Sequence, residues 1–283
     1  MRNSSRSHPA GDDLVSLLTI RLDGCDGIEG GSIDDHQALA PSLDADVRID
    51  ALVKDGDETA AGAELMRLEG NARAMLAAER SALNTLQHLS GIATLTRRYV
   101  EAIAGTGAIL LDTRKTLPGL RVLDKYAARI GGAQNHRMRL DDGILIKDNH
   151  VAVCGGVARA VRSAKAANAG LPVQVEVDRI DQIEPALAAG ADRLLLDNMA
   201  PDTLRDAVAL VAGRVPLEAS GGVNLDTIRA IAEISGSGPH AYAIRHPVIA
   251  YALATPSMTT RRSHDGATST AEAAGPSRYA MTR

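Results

Sequence analysis

The sequence predicts an α/β protein: a parallel sheet able to close into a barrel, preceded by a smaller α/β region. Three observations carry that expectation. Short apolar runs ending in polar residues alternate with helical segments through the second half of the chain, the pattern of repeated βα units. The runs are mainly apolar and end in polar residues, as strands of a covered parallel sheet are. A chain of 283 residues is long enough for one barrel and a smaller companion.

The elements follow in order. Residues 1–13, MRNSSRSHPAGDD, have no apolar stretch and are expected to form a disordered arm, not a secretory signal. An N-terminal α/β domain is expected over 14–105, beginning with the apolar run Leu14–Leu22. From Val47, VRIDALVKDGDET offers a strand, a D-G turn and the start of a second strand. Ala74 to Ala104 is helical, with Leu83, Leu86 and Leu89 at helical spacing, and Gly91 predicts a joint between two helices. The barrel domain is expected over 106–254. Its strands are AILLD, GILIK, VQVEVD, RLLLDN and VPLEASGG, with helices at Val157–Ala169, Asp181–Ala189, Pro201–Val211 and Asn224–Ile234. Lys147, Glu176, Asp197 and Ser220 end four of these strands at intervals of 29, 21 and 23 residues. In a closed barrel they share one mouth, where barrel enzymes place their chemistry. Beyond Gly238 the rhythm fails: Pro239–Ala254 is apolar enough for a strand or a helix, and VIAYALA within it is expected to cover the open barrel side as a helix. Of the 28 residues from Pro256 onward, 18 are Pro, Ser, Thr, Gly or Ala, so 255–283 is expected to be a disordered tail.

Composition excludes several functions. The formal charge of −4 rules out a general basic surface for nucleic acid, and the absence of Phe and Trp removes base-stacking platforms. No stretch approaches the ~18 uninterrupted apolar residues of a membrane helix. Cys25 and Cys154 lack the spacing of a metal site or a disulfide framework and read as reduced thiols of a cytoplasmic protein. Only five of the 31 basic residues are lysines (Lys54, Lys115, Lys125, Lys147 and Lys165), so each lysine's position carries information.

Several motifs concentrate charge at strand ends. In DTRKT, Arg114 and Lys115 set a planar fork beside a point charge, suited to a carboxylate next to a phosphate. In NHR, His136 and Arg137 suit an anionic heteroaromatic acid, although a plain polar loop reads the same way. Lys147 follows three apolar residues, an awkward place for an ammonium unless an anion meets it; snorkelling to solvent is the alternative. Glu176 and Asp197 offer hard oxygen ligands for a Mg²⁺ shared with a phosphate-rich substrate, or cap the helices that follow. Ser220, Gly221 and Gly222 supply a hydroxyl and open backbone N–H groups for a phosphate. A Schiff-base role for Lys147 leaves both basic motifs without a task.

AAERSALNTLQHLSGIAT, LDTRKTLPGLRVLDKYAARIGG, NHRMRLDDGILIKDNH, VEVD, LLLDNM and EASGGVN, in this order, resemble the quinolinate phosphoribosyltransferases, or carboxylating nicotinate-nucleotide pyrophosphorylases, over about two thirds of the chain. The resemblance implies an N-terminal α/β sandwich-like domain, an irregular parallel α/β barrel and a homodimer or multiple of dimers. It implies transfer of phosphoribose from phosphoribosyl pyrophosphate to quinolinate, with decarboxylation to nicotinate mononucleotide for NAD biosynthesis. By motif, Arg80 would reach the neighbouring subunit's site. Arg114, His136 and Arg137 would hold the carboxylates of quinolinate, with Lys115 and Lys147 near both substrates. Glu176 and Asp197 would bind Mg²⁺ and the ribose–pyrophosphate, and Ser220, Gly221 and Gly222 the 5′-phosphate. The catalytic set would be Lys115, Lys147, Glu176 and Asp197.

The chain departs from the family pattern at both ends. Residues 1–46 match poorly. Where the family places a strand, a Gly-containing turn and a His to complete the phosphate cradle, this chain reads PHAYAIRHPVIAYALA, with His240 and His246. An incomplete barrel, and with it an impaired or frame-altered copy of the enzyme, is therefore an open alternative, as is a sister pyrophosphorylase with another substrate.

Overall fold

The computed structural model describes residues 15–22, 28–29, 46–60, 63–167, 170–234, 242–248, 258–264 and 267–268. The expected arm over 1–13 lies outside them.

The N-terminal sheet contains β1 (Val15–Leu22), β3 (Arg48–Ala51) and β5 (Glu64–Asn71); a two-stranded ribbon pairs β2 (Ile28–Glu29) with β4 (Glu58–Thr59). β1 and β3 both run antiparallel to β5. Residues Leu65, Met66 and Leu68 of β5 are buried and form a core with Val47 and with Met75, Ala78, Leu83 and Leu86 of the helix that follows.

That helix, α1 (Ala72–Ala102), is one unbroken element of 31 residues. Asn71 caps it, its side chain accepting from the N–H groups of Arg73 and Ala74 at 3.0 and 3.3 Å. Gly91 was expected as a joint but continues the helix. The residue is buried, and packing outweighs the ~1 kcal/mol that a mid-helix glycine costs. The first half of α1 serves the N-terminal core, while Leu89, Ile92 and Tyr99 of its second half belong to the barrel core.

Six parallel strands follow: β6 (Ile109–Leu111), β7 (Ile144–Ile146), β8 (Val173–Val177), β9 (Arg193–Asp197), β10 (Leu217–Ser220) and β11 (Tyr242–Arg245). They are ordered β6-β11-β10-β9-β8-β7. From β7 to β11 consecutive strands are thus neighbours, and β11 returns beside β6. The helices between them are α2 (Arg121–Ile130), α3 (Asp148–Cys154), α4 (Val157–Ala166), α5 (Ile183–Ala188, after a 3₁₀ turn at Ile180–Gln182), α6 (Pro201–Val211) and α7 (Ile228–Ala232). Among the described residues no ladder joins β6 to β7. Instead Gln134 forms a single parallel bridge with Leu111, its N–H donating to the Leu110 carbonyl at 2.9 Å. The segment leading into NHR therefore lies in the gap along β6.

The registers sort the side chains into two faces. Val173, Val175, Val177, Leu194, Leu196, Leu217, Ala219, Tyr242 and Ile244 face the helices and share one core. Each large apolar side chain fully buried there contributes about 1.5–3 kcal/mol. The alternate residues face the barrel interior, and many are polar: Gln174, Glu176, Asp197, Glu218, Ser220 and Arg245.

Two expectations for the C-terminal part are corrected. The barrel expected to be incomplete here has its last strand, because the stretch left open between strand and helix contains β11, which pairs with β10 on one side and β6 on the other. VIAYALA, expected as a helix, lies outside the described residues beyond Val248. The period of β11 is two, with Tyr242 and Ile244 on the helix side and Ala243 and Arg245 inside. In the expected disordered tail, β12 (Met258–His264) runs antiparallel to β1 and β13 (Ala267–Thr268) to β12, extending the N-terminal sheet. Ladder bonds come from the backbone, so such strands form without an apolar pattern.

Candidate active site

The strand ends of the barrel open into a cavity of about 810 Å³. Ten of the eleven predicted site residues line it: Arg114, Lys115, His136, Arg137, Lys147, Glu176, Asp197, Ser220, Gly221 and Gly222. The exception is Arg80, which is exposed on α1 and does not line this cavity.

A buried ion pair supports the two basic motifs. Lys125 of α2 donates to Asp112 at the end of β6, and both side chains are 0% exposed. Asp112 also accepts from Asn135 Nδ2 at 2.6 Å and from the His136 backbone N–H at 2.8 Å. The Asn135 amide donates in addition to the Lys125 carbonyl at 2.8 Å. DTRKT and NHR thus hang on one carboxylate. Burial pulls the Lys125 ammonium down, with the Asp112 bond opposing it. The neighbouring Asp124, also fully buried, accepts from the Leu117 N–H at 3.0 Å and meets His88 Nε2 of α1 at 2.8 Å, tying down the loop after Lys115. α2 can approach α1 this closely because it ends at Gly131; a Cβ there would lie 2.4 Å from the Ala93 carbonyl.

Lys147 closes β7, and its Nζ donates to Glu176 Oε2 at 3.0 Å. The snorkelling alternative is partly right, because the side chain is 54% exposed, yet it is turned along the cavity wall. His150 of the KDNH motif fixes the turn, its Nδ1 accepting the Lys147 backbone N–H at 2.9 Å. Ser220 lies in register with Asp197 on β9. Asn198 adopts φ 54° and donates its N–H to the Ser220 carbonyl at 2.8 Å. Gly221, at φ 87°, must be glycine: a Cβ would stand 2.0 Å from Asn198 Oδ1.

The donor set for a metal is sparse. Among the described residues no group of three or more His, Cys, Asp or Glu could cage an ion. Glu176 Oε2 is shared with Lys147, and Asp197 Oδ2 accepts from Asn198 Nδ2 at 2.7 Å. Two carboxylates at neighbouring strand ends fit Mg²⁺, which takes few protein ligands and completes its shell with water and phosphate oxygens.

Sequence reasoning missed the layer beneath. Glu218 is buried, with Oε1 3.3 Å from His136 Nε2 and Oε2 3.4 Å from Arg245 Nη2. Burial pushes its carboxyl up, but His136 and Arg245 more than offset this and hold it below the usual carboxylate range. Arg245 could have been found by the signal that found Lys147, a cation directly after an apolar run. His246 is buried, its ring 4.2 Å from that of Tyr99. Burial, with Lys115 adding, pushes it down to about 4 against a bond to the Val223 backbone, so it is neutral at physiological pH. His240 lies outside the described residues.

Comparison with known proteins agrees with this geometry. Residues 92–238 match the model of the quinolinate phosphoribosyl transferase C-terminal domain, and residues 32–90 that of its N-terminal domain. A probable nicotinate-nucleotide pyrophosphorylase (carboxylating) of Bacillus subtilis is 45% identical over 189 residues, 66% of this chain; the match spans just under two thirds, 65%, of that relative's length. A Synechocystis protein of the same description is 42% identical over 213 residues, 72% of this chain and 70% of its own. The solved nicotinate-nucleotide pyrophosphorylase of Francisella tularensis superposes with a TM-score of 0.82 at 34% identity, covering 89% of this chain and 88% of that one.

Proposed function

Since the chain belongs to the quinolinate phosphoribosyltransferase family, we propose that it moves phosphoribose from phosphoribosyl pyrophosphate to quinolinate and releases the 2-carboxylate as CO₂. The observation that carries this reading is the convergence of DTRK, NHR, KDNH and SGG on one cavity with carboxylates on its wall. The quinolinate ring nitrogen attacks C1′ of the ribose as the bond to pyrophosphate breaks. The nitrogen's lone pair is already available, so positioning and charge suffice and no strong base is needed. Arg114, His136 and Arg137 hold the carboxylates of quinolinate, and Ser220–Gly222 the 5′-phosphate. Lys115 and Lys147 offset the charge that accumulates on departing pyrophosphate, while Glu176 and Asp197 favour positive charge on the ribose. Glu176 and Asp197 would also hold Mg²⁺, which supplies charge neutralisation at the pyrophosphate. The new pyridinium charge then stabilises the electron pair left on C2 as CO₂ departs, and that pair takes a proton from water to give nicotinate mononucleotide, a precursor of NAD. No helix among the described residues is long and apolar enough to cross a membrane, and a cytoplasmic location goes with this reading.

The test is direct. Quinolinate labelled in its 2-carboxylate, incubated with phosphoribosyl pyrophosphate and Mg²⁺, should release labelled CO₂ and pyrophosphate in equal amounts. Absence of both would overturn the assignment and favour an impaired copy.

A homodimer with Arg80 acting on the partner's cavity belongs to the same proposal, supported by an exposed Arg80 that does not line its own. Mixing inactive Arg80→Ala with inactive Lys147→Ala subunits should restore activity, because one hybrid site is then complete. No recovery after demonstrated subunit exchange would mean that each site is built within one chain.

A further inference from the structure

The barrel floor holds a guanidinium to which that reading gives no role. Arg245 ends β11, its side chain is 11% exposed, and it lines the cavity beside Arg114 and Arg137. Its donors are poorly served. Nη2 stands 3.4 Å from Glu218 Oε2, long for a charge-assisted bond, and Nε has no hydrogen-bond partner among the described residues. The 2.6 Å approach of Nη2 to His136 Nε2 supplies no clean acceptor. His136 Nδ1 already accepts the Arg137 N–H at 2.7 Å, so a neutral ring carries its proton on Nε2 and turns it to Glu218 Oε1 or Gln174 Oε1, each 3.3 Å away. Arg114 Nε, Arg137 Nε and Gln174 Nε2 are likewise buried without partners among the described residues. A buried donor left unmade is costly. Three of these four donors line one cavity, with Gln174 just beneath it, and they point to acceptors that arrive with a ligand.

Charge indicates the kind of ligand. Lys125–Asp112 and Lys147–Glu176 are paired, and Lys115 and Asp197 add one charge of each sign to the lining. Three guanidiniums, Arg114, Arg137 and Arg245, remain on the lining; buried Glu218 offsets Arg245, and Asp142, outside the cavity, acts on Arg137, so the lining itself keeps an excess of positive charge. The three sense one another: after burial, Arg245 and then Arg114 depress Arg137 most. We propose that Arg245 is a specificity-determining residue of this site, offsetting buried Glu218 so that Arg114 and Arg137 are free for both carboxylates of a pyridine dicarboxylate and discriminate against a monocarboxylate. The inference rests on the functional reading above and adds a residue to it. Without Arg245, Glu218 would be an uncompensated anion repelling the substrate.

The experiment titrates quinolinate, nicotinate and phosphoribosyl pyrophosphate separately against wild type, Arg245→Met, Glu218→Gln and the double variant. Arg245→Met should weaken quinolinate binding by about 30-fold or more, the usual scale for truncating one partner of a buried charge pair. Nicotinate should weaken several-fold less, and phosphoribosyl pyrophosphate should stay near wild type. Adding Glu218→Gln should recover much of the quinolinate loss, since the two effects are coupled. Glu218→Gln alone should tighten quinolinate binding, the opposite sign to a merely structural role, and it decides the matter should Arg245→Met fail to fold. Quinolinate affinity unchanged in Arg245→Met, an equal loss for phosphoribosyl pyrophosphate, or weaker quinolinate binding in Glu218→Gln overturns the proposal alone. A wild type that does not bind quinolinate overturns the functional reading with it.

Discussion

Lys147→Ala should lower kcat/KM by at least about 10²-fold while leaving the folded state intact. The two halves of that expectation have separate causes. The Lys147 side chain is 54% exposed and its one ion pair, with Glu176, is open to solvent, so the stability lost is about 1 kcal/mol or less. The catalytic loss arises because Lys147 and Lys115 are the two lysines lining the cavity, placed to meet negative charge on departing pyrophosphate. Losing Lys147 also leaves Glu176 Oε2 without its donor, turning a neutral pair into a bare carboxylate beside an incoming polyanion. Steady-state kinetics with both substrates and a thermal melt are sufficient. Near-wild-type turnover would remove Lys147 from the reaction, and a large drop in Tm would give it a structural role instead.

Lys125→Met should have the opposite profile, with stability falling by about 3–5 kcal/mol. Both partners of the Lys125–Asp112 pair are fully buried, so removing the ammonium strands a carboxylate that no water reaches. Asp112 would keep its bonds from Asn135 and His136, which limits the damage but cannot neutralise the charge. At this chain length such a loss lowers Tm by very roughly 5–15 °C. Lys125→Met combined with Asp112→Asn should be more stable than Lys125→Met alone, because the stranded charge is gone. Denaturant titration of the single and double variants measures both. A single variant within 1 kcal/mol of wild type would show that Asp112 finds another counter-charge.

The two lysines also divide what could be read in the chain from what could not. Lys147 announces itself, since a cation after three apolar residues at a strand end is conspicuous. Lys125 sits in an ordinary amphipathic helical stretch, where a lysine is expected to face water. Only the packing of α2 against β6 buries it. Arg245 lies between these cases. It carries the signal of Lys147, after the four apolar residues Ala241–Ile244, but its stretch departs from the family pattern and reads equally as strand or helix.

Local chemistry was legible along the chain. Apolar runs of strand length, turn residues and charges at strand ends are set by neighbours a few positions apart, and they sufficed for the α/β class and for a set of candidate residues of which ten line one cavity. Long-range pairing was not. The return of β11 to β6, the strand Met258–His264 beside Val15–Leu22, the continuity of α1 through Gly91 and the Glu218–His136–Arg245 layer each depend on groups far apart in sequence. Their physical reason is common to all: backbone ladder bonds and buried counter-charges leave little trace in the sequence around either partner, and only the folded chain brings the two together.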